Sequence, residues 1–112
     1  NGTEVMPIKQ YHGDIISVGY RIGNFAYSTD VKKMDKKGFD LLKGIETWIL
    51  ECTTNKITPY HITLEEVLDW INYVHPKKVY LTHLGTEWDY DKLKKQLPKN
   101  VQPAYDGLKI NT

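Results

Sequence analysis

Residues 79–85 read Val-Tyr-Leu-Thr-His-Leu-Gly, and the change from apolar to polar within this stretch decides the fold class. The first three residues favour β-structure, and as a short apolar run behind two lysines they predict a buried strand. His83 lies where that strand should end, and Gly85 lets the chain turn away. In a layered α/β fold, a polar side chain just past the carboxyl end of a strand lies on the rim where ligands bind. His83 is therefore a candidate ligand; a histidine that only bonds a backbone carbonyl at a strand end is the alternative.

Length and composition limit the chain to one domain. It has 112 residues, of which 40% are hydrophobic and 12% aromatic, as in a packed globular chain. The net charge of +1 gives no support to nucleic-acid binding, and no apolar run reaches membrane-spanning length. Cys52 is the single cysteine, which excludes an internal disulfide and fits a cytoplasmic setting, where it is expected as a small buried hydrophobe. The chain begins with Asn1, so we expect a piece of a longer polypeptide.

The first half of the sequence predicts strands joined by short turns. Strands are predicted at residues 4–9, 15–22, 25–29 and 45–50. Pro7 favours an edge for the first of them. Gly23 and Asn24 form a two-residue turn of the hairpin type between the second and third. The polar segment 32–43 predicts a loop and a short helix that Gly44 closes.

The second half alternates helices with strands. Thr63 and Glu66 have the spacing of a capping box, and apolar residues follow at helical spacing, which predicts a helix over 64–74 that stops before Pro76. The remaining predicted elements are a strand at 77–81, a helix at 89–97 capped by Asp89, and short strands at 101–105 and 108–110 around the turn at Asp106 and Gly107. Strands that alternate with helices here and form a hairpin earlier predict a mixed α/β fold.

Three polar residues occupy similar places in this arrangement. His12 lies at a strand boundary, Asp30 directly after the third strand, and His83 after the strand that follows the helix. Two imidazoles and a carboxylate on one rim suit zinc, manganese or iron, and the two oxygens of Asp30 can bridge two ions. Each residue also has a plain structural interpretation, because Asp30 suits a turn cap and His12 a loop beside Gly13. Their shared placement favours a metal site.

Several short segments, taken in order along nearly the whole chain, carry a resemblance to a known family. The sequence is similar to the C-terminal half of a metallo-β-lactamase-fold hydrolase, closest to the phosphoribosyl 1,2-cyclic phosphate phosphodiesterase branch. The resemblance implies half of an αββα sandwich, with a mixed sheet and helices on one face. The matching segments are residues 12–13, 18–22, 26–30, 61–68, 81–85 and 103–108.

The resemblance implies a role for each matching polar residue. His12 corresponds to a histidine ligand of one metal ion, Asp30 to the bridging aspartate, and His83 to the last ligand histidine. His61, just before a helix, corresponds to a histidine that faces the active site, where it can donate a proton to the leaving alkoxide. A structural loop histidine is an equal alternative for His61. Asp106 is expected to form a turn with Gly107, and a rim contact is the lesser alternative.

The chain departs from the family pattern in one important respect. The His-x-His-x-Asp-His motif that supplies the other metal ligands is absent; the four histidines are His12, His61, His75 and His83. Half a sandwich also leaves one sheet face uncovered, which costs free energy in proportion to the apolar area exposed. We therefore expect a partner, either the N-terminal half of the same protein or another copy in a homodimer, with the apolar sheet face in the interface and Trp48 as a candidate residue of that face. The chain alone is expected to be inactive and to bind metal weakly.

The resemblance implies that the intact protein is a cytoplasmic hydrolase that uses two divalent ions, zinc or manganese, to cleave a cyclic or small phosphodiester. Another hydrolysis on the same fold, of a thioester or a β-lactam, remains open because substrate loops vary freely. A non-catalytic binding or assembly module that keeps the fold is the alternative from another class. The coding sequence upstream discriminates these interpretations, because a His-x-His-x-Asp-His motif there favours the enzyme.

Overall fold

The structure of the chain, a computed structural model, describes residues 4–52, 54, 56–84 and 90–104. Within these ranges the chain folds as one mixed sheet with three helices. The strands are β1 (Val5–His12), β2 (Ile15–Ile22), β3 (Phe25–Ser28), β4 (Lys33–Met34), β5 (Thr47–Glu51), β6 (Lys78–Thr82) and β7 (Val101–Pro103). The helices are α1 (Lys36–Leu42), α2 (Leu64–Val74) and α3 (Tyr90–Gln96). The strands lie in the order β4-β1-β2-β3-β5-β6-β7.

The first three strands form an antiparallel meander joined by two tight turns. Gly13 and Gly23 have φ angles of 63° and 58°, the left-handed conformation that two-residue hairpin turns require. The predicted hairpin at 15–29 is confirmed, and β1 extends it by pairing along its whole length with β2. The edge position expected for Pro7 is confirmed in part, because β4 pairs with β1 at Gln10 and Tyr11.

The other half of the sheet is parallel, because helices carry the chain back between β3, β5, β6 and β7. The helix predicted over 64–74 is confirmed, with both hydrogen bonds of its capping box at Thr63 and Glu66. It ends at His75, whose φ of 58° turns the chain before Pro76. The residues expected as helix cap at Asp89, turn at Asp106 and strand at 108–110 lie outside the described part of the chain.

The helices cover one face of the sheet, and the hydrophobic core lies beneath them. Trp48 and Leu50 of β5, Val79 and Leu81 of β6, and Val67 of α2 are fully buried there. Cys52 is also buried, as expected. None of the described helices has the length and apolar character needed to cross a bilayer.

Trp48 lies on the helix-covered face, so its expected place in an uncovered interface is wrong. The side chain is fully buried, and its indole Nε1 donates a hydrogen bond of 2.9 Å to Ser28 Oγ. Successive side chains of a strand point to opposite faces. Trp48 therefore shares its face with Leu50, whereas Ile49 points to the other side and is only partly buried.

The face without helices carries an exposed apolar surface. Along β2 the even-numbered residues point to it, and Ile16, Val18, Tyr20 and Ile22 are each at least 40% exposed. Tyr20 pairs with Tyr27 of β3, which adds to the same surface. We call Ile16, Val18, Tyr20, Ile22 and Tyr27 the open face. An apolar surface of this extent is characteristic of a contact site.

Candidate active site

The sheet topology brings four strand ends to one edge. β1 and β3 are both antiparallel to β2, and β3, β5 and β6 are parallel, so β1, β3, β5 and β6 all run in one direction. Their carboxyl ends therefore meet at the same edge of the sheet. His12 is the last residue of β1 and Glu51 the last of β5. Asp30 lies two residues past β3, and His83 directly follows β6.

Asp30 and His83, two of the three predicted metal ligands, come together at this edge. Together with Glu51 they form a group whose potential ligand atoms all lie within 4.8 Å of one another. Asp30 and His83 have φ angles of 52° and 53°. A left-handed backbone is uncommon for residues other than glycine, and such conformations cluster at functional sites.

His12 lies beside this group but, within the described residues, is not a member of it. Its Nδ1 is 2.6 Å from the carbonyl oxygen of Tyr60, and its ring meets that of His61 edge-on at a centroid distance of 5.1 Å. A carbonyl acceptor at Nδ1 places the proton there and leaves Nε2 with a lone pair, as in many metal-bound histidines. The metal roles of His12, Asp30 and His83 stay predictions.

Gly13 allows the loop before α2 to approach His12. A Cβ atom at Gly13 would lie 2.4 Å from the Tyr60 ring, which is far inside van der Waals contact. Glycine therefore leaves the space in which Tyr60 packs across the β1–β2 turn. Through this contact the position of His12 and that of the loop before α2 are linked.

Glu51 is the site residue that the sequence analysis did not identify. Its side chain is fully buried, Oε1 accepts a 2.6 Å hydrogen bond from the backbone N–H of Val31, and Oε2 lies 2.8 Å from His61 Nδ1. Because both oxygens are already engaged, we interpret Glu51 as the group that orients His61, although its distance to Asp30 and His83 also suits a metal ligand. An acidic residue that ends an apolar strand was the available signal, since glutamate is almost never fully buried unless paired.

His61 lies two residues before the N-cap of α2, where the sequence placed it. Its backbone N–H donates to Thr58 Oγ1 at 3.1 Å, and its ring is partly exposed. With Nδ1 engaged by Glu51, Nε2 is the nitrogen left to exchange a proton with a ligand. The geometry suits an acid or a base, and the catalytic role of His61 stays a prediction.

The donor set fits a divalent ion. Carboxylate oxygens and imidazole nitrogens, converging at the exposed edge of a sheet, are ligands of borderline character that suit zinc and similar metals. Asp30 and His83 are exposed, whereas Glu51 beneath them is buried. A ligand entering from solvent would therefore meet the first two side chains before the third.

Sequence comparisons place the chain in a family. Residues 1–84 match the family model of the β-lactamase superfamily domain. An octanoyltransferase from Porphyromonas gingivalis (strain ATCC BAA-308 / W83) is 28% identical over 106 residues, which are 93% of this chain and 22% of that protein. The chain thus spans only a small part of this curated relative.

Structural comparisons give the same fold. A diphosphatase of the PhnP family matches with a TM-score of 0.95 and 30% identity, over 99% of this chain and 44% of that one. Human tRNase Z, short form, matches with a TM-score of 0.75 and 18% identity, over 95% of this chain and 42% of that one. A metallo-β-lactamase-fold protein from Bacillus subtilis matches with a TM-score of 0.77 and 18% identity, over 93% and 48%. This chain therefore belongs to the β-lactamase superfamily and has the fold of half a metallo-β-lactamase domain.

Proposed function

We propose that this chain is the C-terminal half of a metal-dependent phosphodiesterase that acts on a cyclic or other small phosphodiester. The convergence of Asp30 and His83 at the sheet edge, beside the buried carboxylate of Glu51 and with potential ligand atoms of all three side chains within 4.8 Å of one another, carries the proposal. The likeness to a PhnP-family diphosphatase at 30% identity supports a phosphate-containing substrate. Divalent metals are typical of this family, and zinc and manganese both suit the donor set.

Each site residue has a part in this proposal. Asp30 and His83 would hold the metal. His12 lies outside the 4.8 Å group that they form with Glu51, and its Nε2 would serve as a donor to another ion of the site. Two ions, when bound, would polarise the phosphoryl oxygens and make water nucleophilic near neutral pH. His61, held at Nδ1 by Glu51, donates a proton from Nε2 to the departing oxygen. Because the leaving oxygen would otherwise depart as an alkoxide, this proton transfer is needed most for poor leaving groups.

We further propose that a second half-fold completes the site. The chain spans 44% of the diphosphatase it matches, and the open face offers an apolar surface to another sheet. The N-terminal half of the same protein, bearing the His-x-His-x-Asp-His motif, is the expected complement, and a second copy of the chain is the alternative. We call this chain with its complement the assembled protein. The interface should bury more than about 2,000 Å², the range of obligate interfaces.

The first experiment is an activity assay on the assembled protein after metal removal and reloading with zinc or manganese. Hydrolysis of bis(p-nitrophenyl) phosphate should appear with metal and vanish with chelator. Asp30→Ala and His83→Ala should each lower activity by about 10²-fold or more, because each removes a ligand. His75→Asn is the matched control: it changes an exposed histidine that ends α2, and asparagine tolerates the same left-handed backbone.

Several outcomes would contradict the proposal. Full activity in the chelated protein would remove the metal from the reaction. If the protein hydrolyses a thioester or a chromogenic β-lactam but no phosphodiester, the proposed substrate class is wrong. An assembled protein that binds no metal and hydrolyses none of these substrates would favour a non-catalytic module.

A further inference from the structure

A chain of hydrogen bonds runs from the sheet interior to the backbone of Asp30. Ser17 Oγ donates to the carbonyl oxygen of Asp30 at 2.6 Å. Gln10 Nε2 donates to Ser17 Oγ at 3.1 Å and to the carbonyl oxygen of Thr29 at 3.0 Å. Two consecutive carbonyl groups, those of Thr29 and Asp30, are thus held by side chains of β1 and β2.

The Gln10 side chain is committed to these donor bonds. The residue is fully buried, and its Oε1 has no hydrogen-bond partner within the described part of the chain. An unpaired buried amide oxygen costs free energy. The orientation of the Gln10 amide therefore serves the two donor bonds of Nε2 and leaves Oε1 unpaired within the described residues. Gly19 provides the space, because a Cβ atom there would lie 2.3 Å from Gln10 Oε1.

The backbone around Asp30 is fixed on both sides. Val31, the next residue, donates its N–H to Glu51 Oε1 at 2.6 Å and accepts from the Ile62 N–H at 3.2 Å. Asp30 itself has a φ of 52°, a conformation that persists where the surrounding structure holds it. Ser17 fixes the Asp30 carbonyl by its hydrogen bond, and Gln10 orients the Ser17 hydroxyl.

We infer that Gln10 and Ser17 are positioning residues that hold the backbone of Asp30 so that its carboxylate faces the metal site. This inference rests on the proposed function, because it takes Asp30 as a metal ligand. Both residues act on the backbone at Thr29 and Asp30, and none of these hydrogen bonds involves the Asp30 carboxylate. Loosening the Asp30 backbone should weaken metal binding and alter the coordination geometry, while the ligand itself remains.

Cobalt binding to the assembled protein tests the inference, because the visible spectrum of Co²⁺ reports its coordination geometry. Ser17→Ala should weaken Co²⁺ binding roughly tenfold or more, as losses of outer partners of metal ligands do, and shift the spectrum. Ser17→Thr keeps the hydroxyl and should restore both. Should Ser17→Ala fail to fold, Gln10→Met, which keeps the side-chain length without the donor, should change affinity and spectrum in the same direction.

Arg21→Met is the matched control. Arg21 lies on the same strand and face as Ser17, and its guanidinium donates to the carbonyl oxygens of Gly23, Leu41 and Lys43 at the other end of β2. Its loss should lower the melting temperature while Co²⁺ affinity stays within about twofold of wild type. Wild-type affinity and spectrum in Ser17→Ala would overturn the inference and leave the proposed function intact. Wild-type protein that binds no Co²⁺ would overturn both.

Discussion

At the scale of single residues, Glu51 matters because it connects the segment that carries Asp30 with the ring of His61. One carboxylate oxygen fixes the backbone that follows Asp30, and the other holds the His61 ring. The side chain is fully buried, so neither hydrogen bond competes with water. Two fixed oxygens make Glu51 a rigid link between a candidate ligand and a candidate proton donor.

Glu51→Gln separates the orienting role from a metal-ligand role. The amide oxygen can still accept from Val31, but the amide nitrogen would face His61 Nδ1, which must then become an acceptor. We expect hydrolysis of an alkyl phosphodiester to fall by about 10²–10⁴-fold, the usual worth of general acid catalysis. Hydrolysis of a p-nitrophenyl ester should fall far less, because that group departs without a proton. Comparing kcat for the two esters checks this.

The control for Glu51→Gln is His61→Ala. It should show the same leaving-group dependence, and the double variant should be no worse than either single one, since the two residues act as a unit. Metal affinity should stay near wild type in Glu51→Gln. A lower metal affinity in Glu51→Gln, together with an equal fall in kcat for both esters, would show that Glu51 is a ligand instead.

Single residues were predictable where the signal was local. Asp30 and His83 lie within two residues of the ends of β3 and β6, so their place at the sheet edge was predictable. Glu51 had a local signal as an acidic residue at the end of an apolar strand, but its role could not be predicted because its partners Val31 and His61 lie 20 and 10 residues away in the sequence. The hydrogen bond between Ser17 and Asp30 was equally hidden, since it depends on how β2 and β3 lie together.

At the scale of elements, the start of α2 is tied to the segment after β3. Glu66 Oε1 accepts from Lys32 Nζ at 2.7 Å and from the N–H and hydroxyl of Thr63 at 3.1 and 3.0 Å. Burial raises the pKa of Glu66, but the hydrogen bonds from Lys32 and Thr63 and the charge of Lys32 outweigh it. The pKa therefore lies below the usual 4.5.

The depressed pKa of Glu66 predicts a pH-dependent contribution to stability. A carboxyl whose pKa is lower in the folded state stabilises fully above its unfolded pKa, and that stability is lost as pH falls through the folded pKa. At neutral pH, Glu66→Gln should therefore lower the free energy of unfolding by about 1 kcal/mol or less. The loss is small because the Glu66 side chain is 38% exposed, so solvent screens its charge. The difference should shrink below pH 4.5. Urea denaturation of the assembled protein across this pH range measures the difference.

Glutamine keeps a capping-box acceptor, so this substitution removes the charge alone. Glu65→Gln is the control, because it removes an exposed charge from the same first turn. A pH-dependent difference of equal size in Glu65→Gln would indicate the general effect of an acidic residue at a helix start, and would contradict a specific role for Lys32.

The elements show the same division between local and distant causes. α2 was predictable to the residue because its capping box and apolar spacing lie within the helix itself. β5 was predicted at 45–50 but spans Thr47–Glu51, because its register is set by β3 and β6 on either side. The two-residue β4 was not predicted, since it exists through pairing with Gln10 and Tyr11 of β1.

At the scale of the whole molecule, the two faces of the sheet differ in what covers them. The helices bury one face, and the open face remains apolar and exposed. The half-fold predicted that one sheet face would need a partner to cover it. The assignment of Trp48 to that face was wrong, because Trp48 lies on the helix-covered face. Apolar residues occur on both sides of β5, with Trp48 and Leu50 on one and Ile49 on the other, so the sequence allowed Trp48 to be assigned to either face. The alternation in β2, with Ser17 and Arg21 between apolar neighbours, was the clearer signal.

The open face predicts how the isolated chain behaves. By itself the chain should self-associate in sedimentation, because solvent-exposed apolar surface at about 25 cal/mol per Å² drives burial against any available partner. Adding the complementary half should replace these aggregates by a single species.

Replacing Val18 and Ile22 by lysine should prevent both self-association and binding of the complementary half, since a charge at the centre of a buried interface is left unpaired. Ile57→Lys is the control, because Ile57 is 90% exposed, lies between β5 and α2 and is not one of the open-face residues, so the same chemical change there should leave association unaltered. A chain that sediments alone as a monomer and melts cooperatively would show that the open face needs no partner, and the half-fold proposal would then fail.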